Sequence, residues 1–278
     1  MSAIETCSAL SLAVGEPLAG TATEAAAWLL VEVRGAWGRD AVKDSAIAST
    51  LRDELTAYPG KVVLIRRPDR RAGAVIIRAE VREGGGEAAR NDLGSHEHLV
   101  IADLPAGNAI TGPVFLVCTH GRRDACCARL GAPLYEAMGR HVSQDQLWQV
   151  SHLGGHRFAP NVVVLPHGIQ LGRVPLDRAA EVVETVGAGR IPLDLYRGRT
   201  LYPPRVQAAE VAARAATGCD TLDGLALIAD SGDRVAFTAP SGEVTIRVEQ
   251  REGPATPASC GAEPEPTVVW ATSLESSV

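Results

Sequence analysis

Short apolar, β-favouring runs alternate with amphipathic stretches along most of the chain. Residues 27–33 (AWLLVEV) and 61–66 (KVVLIR) read as strands, and between them 45–58 sets Ile47, Leu51, Leu55 and Ala57 on one side of a helix. That is a β-α-β unit. Residues 73–81 (GAVIIRAEV) and 98–103 (HLVIAD) supply further strands, with REGGGEAARND between them as a Gly-rich loop. A stretch rich in Gly, Pro and Ala at 104–113 reads as a boundary, after which the rhythm restarts. Residues 114–117 predict a buried strand, 128–140 a helix, 146–150 and 161–165 strands, and 168–174 a hairpin partner. Helices at 177–186 and 203–216 follow, closed by Gly187 and Gly218.

Strand, helix, strand, strand pair, helix is a thioredoxin-like order. The two halves share the rhythm without a recognisable sequence repeat, so the expected fold is α/β with two thioredoxin-like modules. From residue 217 the pattern changes to short strands, LALIAD, RVAFTA, EVTIRVEQ and TVVWAT, broken by PSGE and by a Pro-rich loop GPATPASCGAEPEP. The expected organisation is therefore a module at 1–110, a second at 111–216, and a small antiparallel β appendage at 217–278.

Composition narrows the class. Hydrophobic residues at 46% and charged residues at 22% describe an ordinary globular chain, neither fibrous nor disordered. The formal net charge is −6, and it is uneven: residues 217–278 hold ten acidic and three basic side chains. The remainder is close to neutral, which argues against nucleic-acid binding by the whole protein. The first twenty residues lack a basic n-region and a long apolar core, and no window approaches a membrane span. The expected compartment is the cytoplasm, where six cysteines point to metal or redox chemistry before disulfides.

The chemistry concentrates between Cys118 and Pro160, in CTHGRRDACCARLG and SHLGGHRFAP. Cys118 falls where a strand ends and Cys127 where the next helix begins, so the loop between them presents both sulfurs on one side. His152 and His156 follow another strand, and the glycines between them let the backbone fold round a bound group. Strand-end loops at one sheet edge converge, and four N/S donors converging make a metal site. The set suits tetrahedral zinc and equally a [2Fe-2S] cluster with two histidines. Spacing alone leaves both open.

C-x-H-G-x-R-D-x-x-C from Cys118, with HLGGH followed by RFAPN, resembles the sucrase/ferredoxin-like family. CSALS near Cys7, WGRD at 37–40, RRPDR at 66–70 and YRGR at 196–199 extend the likeness over most of the chain. The resemblance implies a thioredoxin-like ferredoxin domain with a [2Fe-2S] cluster on Cys118, Cys127, His152 and His156, the cysteines on one iron and the histidines on the other. Cys126 precedes Cys127 where the family has another residue type, and it stands as the second choice of ligand. Neutral imidazole ligands further imply a raised potential and proton-coupled reduction.

The expected function is thus electron transfer or redox sensing, as a carrier and not a stand-alone enzyme. The alternatives are a zinc-stabilised Cys₂His₂ binding module and a thiol-disulfide oxidoreductase, although the C-x-x-C of the latter is missing. No carboxylate pair can be placed for sucrose cleavage. Arg122, Arg123, Arg129 and Arg157 offer a basic rim to an unidentified redox partner protein. His120 and Asp124 read as turn formers or solvated residues, and Cys7, Cys219 and Cys260 as ordinary thiols.

Overall fold

In a computed structural model, which describes residues 6–68, 73–96 and 99–275, the apolar runs become the interior strands of one large sheet. The first half contributes α1 (Cys7–Ala13), β1 (Ala27–Glu32), α2 (Ser49–Ala57), β2 (Lys61–Arg66), β3 (Ala74–Glu80), β4 (Glu87–Leu93) and β5 (Asn108–Ala109). The second contributes β6 (Val114–Cys118), α3 (Ala125–Met138), β7 (Leu147–Val150), β8 (Val162–Leu165), β9 (Ile169–Leu171), α4 (Ala179–Gly187), β10 (Tyr196–Arg199) and α5 (Pro204–Thr217). A separate four-stranded antiparallel sheet holds β11 (Ala226–Ser231), β12 (Arg234–Ala239), β13 (Gly242–Pro257) and β14 (Pro264–Glu275).

The large sheet has ten strands in the order β10-β9-β8-β6-β7-β2-β1-β3-β4-β5. Within it one arrangement occurs twice. β1 pairs parallel with β2 and antiparallel with β3, which pairs antiparallel with β4; β6 does the same with β7, β8 and β9. The fold is α/β with two thioredoxin-like units, joined where β2 and β7 pair antiparallel through Ile65 and Val150.

Alternation along the strands divides the core. Leu29, Val31, Leu64 and Ile76 pack with Leu51 and Leu55 of α2, and Phe115, Val117, Val162 and Val164 pack with residues of α3 and α4. The opposite face carries Trp28, Leu30, Val63, Ile77, Leu116, Trp148 and Val163, a single cluster shared by both halves. The β8–β9 turn closes on the first half, since a side chain at Gly168 would strike Val81. The C-terminal sheet packs Val235, Phe237, Val244 and Ile246 against Val206, Ala209 and Ala213 of α5.

Three sequence expectations need correction. The strand expected at 98–103 is a short 3-10 turn at Ile101–Asp103, its first residue, His98, lying outside the described residues along with Asp69 and Arg70 of RRPDR. The missing strand is β4, inside the stretch read as a Gly-rich loop. The loop read at 253–266 is largely strand, because β13 runs to Pro257 and β14 begins at Pro264.

Candidate metal centre

β6 and β7 run parallel, so their C-terminal ends open at one edge of the sheet. Cys118 is the last residue of β6. The chain turns through 119–124, and Asp124 starts α3 as its N-cap, its carboxylate accepting the Cys126 N–H at 2.8 Å. That cap places Cys126 and Cys127 in the first turn. α3 is pressed against the end of β6 at Gly131, where a Cβ would stand 1.9 Å from the Cys118 carbonyl oxygen. Only glycine fits there.

The loop after β7 delivers the histidines. Gly154 and Gly155 have φ of +90° and +64°, and Gly155 sits against the Arg197 guanidinium, where a side chain would clash. Arg197 from β10 is buried and fastens this loop: it donates to the Gly154 carbonyl at 3.3 Å and to Asn161 Oδ1 at 2.7 Å. Asn161 in turn donates to the Gly155 carbonyl at 2.9 Å. Nothing in the sequence pattern assigned Arg197 that task, since a buried arginine leaves no hydrophobic signal.

Donor atoms of Cys118, Cys127 and His152 lie within 4.8 Å of one another. The His156 ring centroid is 5.0 Å from that of His152, and its Nε2 is 3.7 Å from Asp124 Oδ2. Cys118, Cys127 and His156 are buried and His152 is half-buried. Both histidines hold a buried Nδ1 without a hydrogen-bond partner. Hydrogen bonding from the Cys127 thiol, with help from His152, drives the Cys118 thiol well below its ordinary value in spite of burial. The same contact pushes Cys127 up. Burial lowers His156, and the nearby Asp124 carboxylate only partly offsets it.

Cys126, the second-choice ligand, points elsewhere. Its Sγ is 3.5 Å from that of Cys7 and 3.4 Å from that of Cys260. These three cysteines and Asp124 form a second group of donor atoms within 4.8 Å of one another. Cys7 and Cys260 were not singled out by sequence, because their separations of 119 and 134 residues from Cys126 carry no local spacing.

His120 and Asp124 are neither solvated nor incidental. His120 is buried, its Nε2 2.7 Å from the Gly38 carbonyl and its ring edge-on to Trp37 at 5.7 Å between centroids. This contact seats the WGRD segment beside the site. A cavity of about 220 Å³ opens there, lined by Arg39, Lys61, His120, Arg123 and His152 among others. Of the four arginines expected to form a rim, Arg122, Arg123 and Arg129 are exposed, whereas Arg157 pairs with buried Glu16 at 2.7 Å. No helix among the described residues is long and apolar enough to cross a membrane.

Parts of the chain resemble known proteins. A protein named altered inheritance of mitochondria protein 32 from Meyerozyma guilliermondii is 35% identical over 99 residues, 32% of this chain and 35% of that protein. The protein of the same name from Clavispora lusitaniae is 35% identical over 94 residues, covering 31% and 34%. The chain thus spans about a third of the length of these curated relatives. A thioredoxin-like [2Fe-2S] ferredoxin from Aquifex aeolicus aligns at 20% identity and a TM-score of 0.30, over 34% of this chain and 97% of that one. The sucrase/ferredoxin-like family matches from residue 18 to residue 198, a span that includes the whole Cys118-to-His156 constellation and most of the ten-stranded sheet. The chain belongs to the sucrase/ferredoxin-like family.

Proposed function

We propose that the protein is an electron-transfer or redox-sensing protein that holds a [2Fe-2S] cluster on Cys118, Cys127, His152 and His156. The supporting observation is the grouping of the buried Cys118 and Cys127 thiols with His152, beside which the His156 ring lies tilted at 43° with 5.0 Å between centroids, each imidazole having a buried Nδ1 that lacks a partner. Such orphaned nitrogens cost free energy unless something binds them. Two thiolates and two imidazoles form a donor set that fits this cluster chemically. When bound, the group supplies a one-electron couple.

The rest is done by the chain. Arg197 and Asn161 hold the histidine loop in shape, and Gly131 lets α3 carry Cys127 up to Cys118. The half-buried His152 faces the cavity beside Arg39, Lys61 and Arg123, a basic rim suited to an acidic redox partner protein. The reading extends to proton coupling, since an imidazole bound through one nitrogen keeps the other for a proton.

Anaerobically purified protein is expected to be coloured, with about two irons and two sulfides per chain. Zinc in place of iron, without sulfide, overturns the reading in favour of a Cys₂His₂ binding module. On the same sample the midpoint potential should fall with rising pH by about 59 mV per unit across the coupled range. A potential independent of pH removes the proton coupling.

A further inference from the structure

Cys7, Cys126 and Cys260 sit at the corners of a nearly equilateral triangle of sulfurs, with edges of 3.5, 3.4 and 3.7 Å. Asp124 Oδ1 lies over it, 3.2 Å from the Cys260 sulfur and 3.8 Å from that of Cys7. We propose that these four side chains form a second metal site, separate from the Cys118 and Cys127 group, that takes a single divalent cation of the zinc class.

Geometry is the first argument. A tetrahedral zinc bound at about 2.3 Å to each thiolate spaces its sulfurs about 3.8 Å apart. The observed edges need to open by only a few tenths of an ångström. Disulfide formation instead brings one pair to about 2.05 Å and leaves the third thiol over. The donor set is the second argument, for three sulfurs and one carboxylate oxygen complete a tetrahedron of the soft and borderline ligands zinc prefers.

Electrostatics points the same way. Cys7, Cys126 and Asp124 are buried, so anionic donors here need compensating positive charge. The N-terminus of the fourteen-residue α3 supplies part of it. Asp124 is further held by the Cys126 and Cys260 N–H groups, both at 2.8 Å. Although burial opposes ionisation, these donors keep its carboxyl below the ordinary value.

The site ties together three remote parts of the chain. Cys7 opens α1, Cys126 lies in the first turn of α3, and Cys260 lies in the turn between β13 and β14. Cys7 and Cys260 both fall outside the span matched by the family, 18–198. An ion here would act as a staple, fixing the C-terminal hairpin and the N-terminal helix over the start of α3. Asp124 also faces His156 at 3.7 Å, so the staple would stiffen one wall of the first site.

The test uses full-length protein prepared under reducing, anaerobic conditions, with zinc, iron and sulfide measured on the wild type, Cys260→Ser and Cys127→Ser. About one zinc per chain is expected in the wild type and in Cys127→Ser, and none in Cys260→Ser, whose iron and sulfide should match the wild type. Cobalt(II) added to metal-depleted protein should give the intense visible absorption of a tetrahedral thiolate complex, weakened in Cys260→Ser. Added zinc should raise the melting temperature of the depleted wild type more than that of Cys260→Ser. Absence of zinc together with a failure of cobalt to give that absorption overturns the proposal, as does a disulfide among Cys7, Cys126 and Cys260 in freshly isolated protein. Two zincs and no iron would overturn the cluster reading while leaving this site standing.

Discussion

Adjacent cysteines 126 and 127 are sent to different places within the first turn of one helix. Successive residues in a helix point about 100° apart, so with Asp124 fixing the start of α3, Cys127 turns toward Cys118 while Cys126 turns toward Cys7 and Cys260. Their chemical fates should separate accordingly. Cys127→Ser is expected to abolish or severely weaken iron and sulfide binding, whereas Cys126→Ser should leave the visible spectrum nearly unchanged. A reversed result, read by absorption and iron analysis, would transfer the ligand role to Cys126. Sequence did make the four ligand candidates visible, because CTHGRRDACC and HLGGH are local patterns on strand ends. It did not reveal the trio at Cys7, Cys126 and Cys260, since contacts spanning up to 253 residues have no spacing to read.

At the level of elements, hydrophobic periodicity found the strands that are apolar and missed those that are not. β4 is EAARNDL, with only Ala88 and Asn91 buried, so its half-polar pattern looked like loop beside three glycines. β10 is YRGR, buried at every position, yet two of its four residues are arginines, Arg197 donating to Asn161 Oδ1 at 2.7 Å and Arg199 to the Leu222 carbonyl at 2.6 Å, so its burial leaves no apolar pattern to read. Conversely, HLVIAD has the composition of a strand but leaves Val100 exposed, and the Ile101 N–H bonds the Glu54 carboxylate of α2 at 2.9 Å. The packing of α3 on β6 is the contact on which the first site depends. Gly131→Ala gains about 1 kcal/mol of helix propensity. Against it stands the Cβ clash with the Cys118 carbonyl, which forces helix and strand apart at an overpacking cost of about 1–3 kcal/mol. The contact is with backbone, which yields little, so the clash should win. The variant is expected to melt earlier than the wild type and to bind less iron, and an unchanged melting temperature would show that α3 adjusts without strain.

Across the whole molecule, two copies of one strand order share a core because β2 and β7 pair edge to edge, a choice that no strand's own periodicity encodes. The turn between β8 and β9 lies where three parts meet: Gly168 faces Val81 of the first half, and His167 is near Arg199 of β10 and feels Asp223 ahead of the C-terminal sheet. His167 has a buried Nδ1 with no partner, and burial lowers its pKa against the weaker opposing pull of Asp223. In the unfolded chain this imidazole takes a proton near pH 6.5, while in the folded protein it does so only at lower pH. Between those values the unfolded state binds more protons, so stability is lost as pH falls below about 6.5 and the loss levels off once the folded protein is also protonated. Above that range His167 contributes no pH dependence. His167→Gln, which cannot take up the proton, should therefore lose less stability than the wild type between pH 7 and 5 in denaturant titrations. Equal slopes in the two proteins would mean that His167 charges as easily in the folded junction as in the open chain, and that the three parts separate there at little cost.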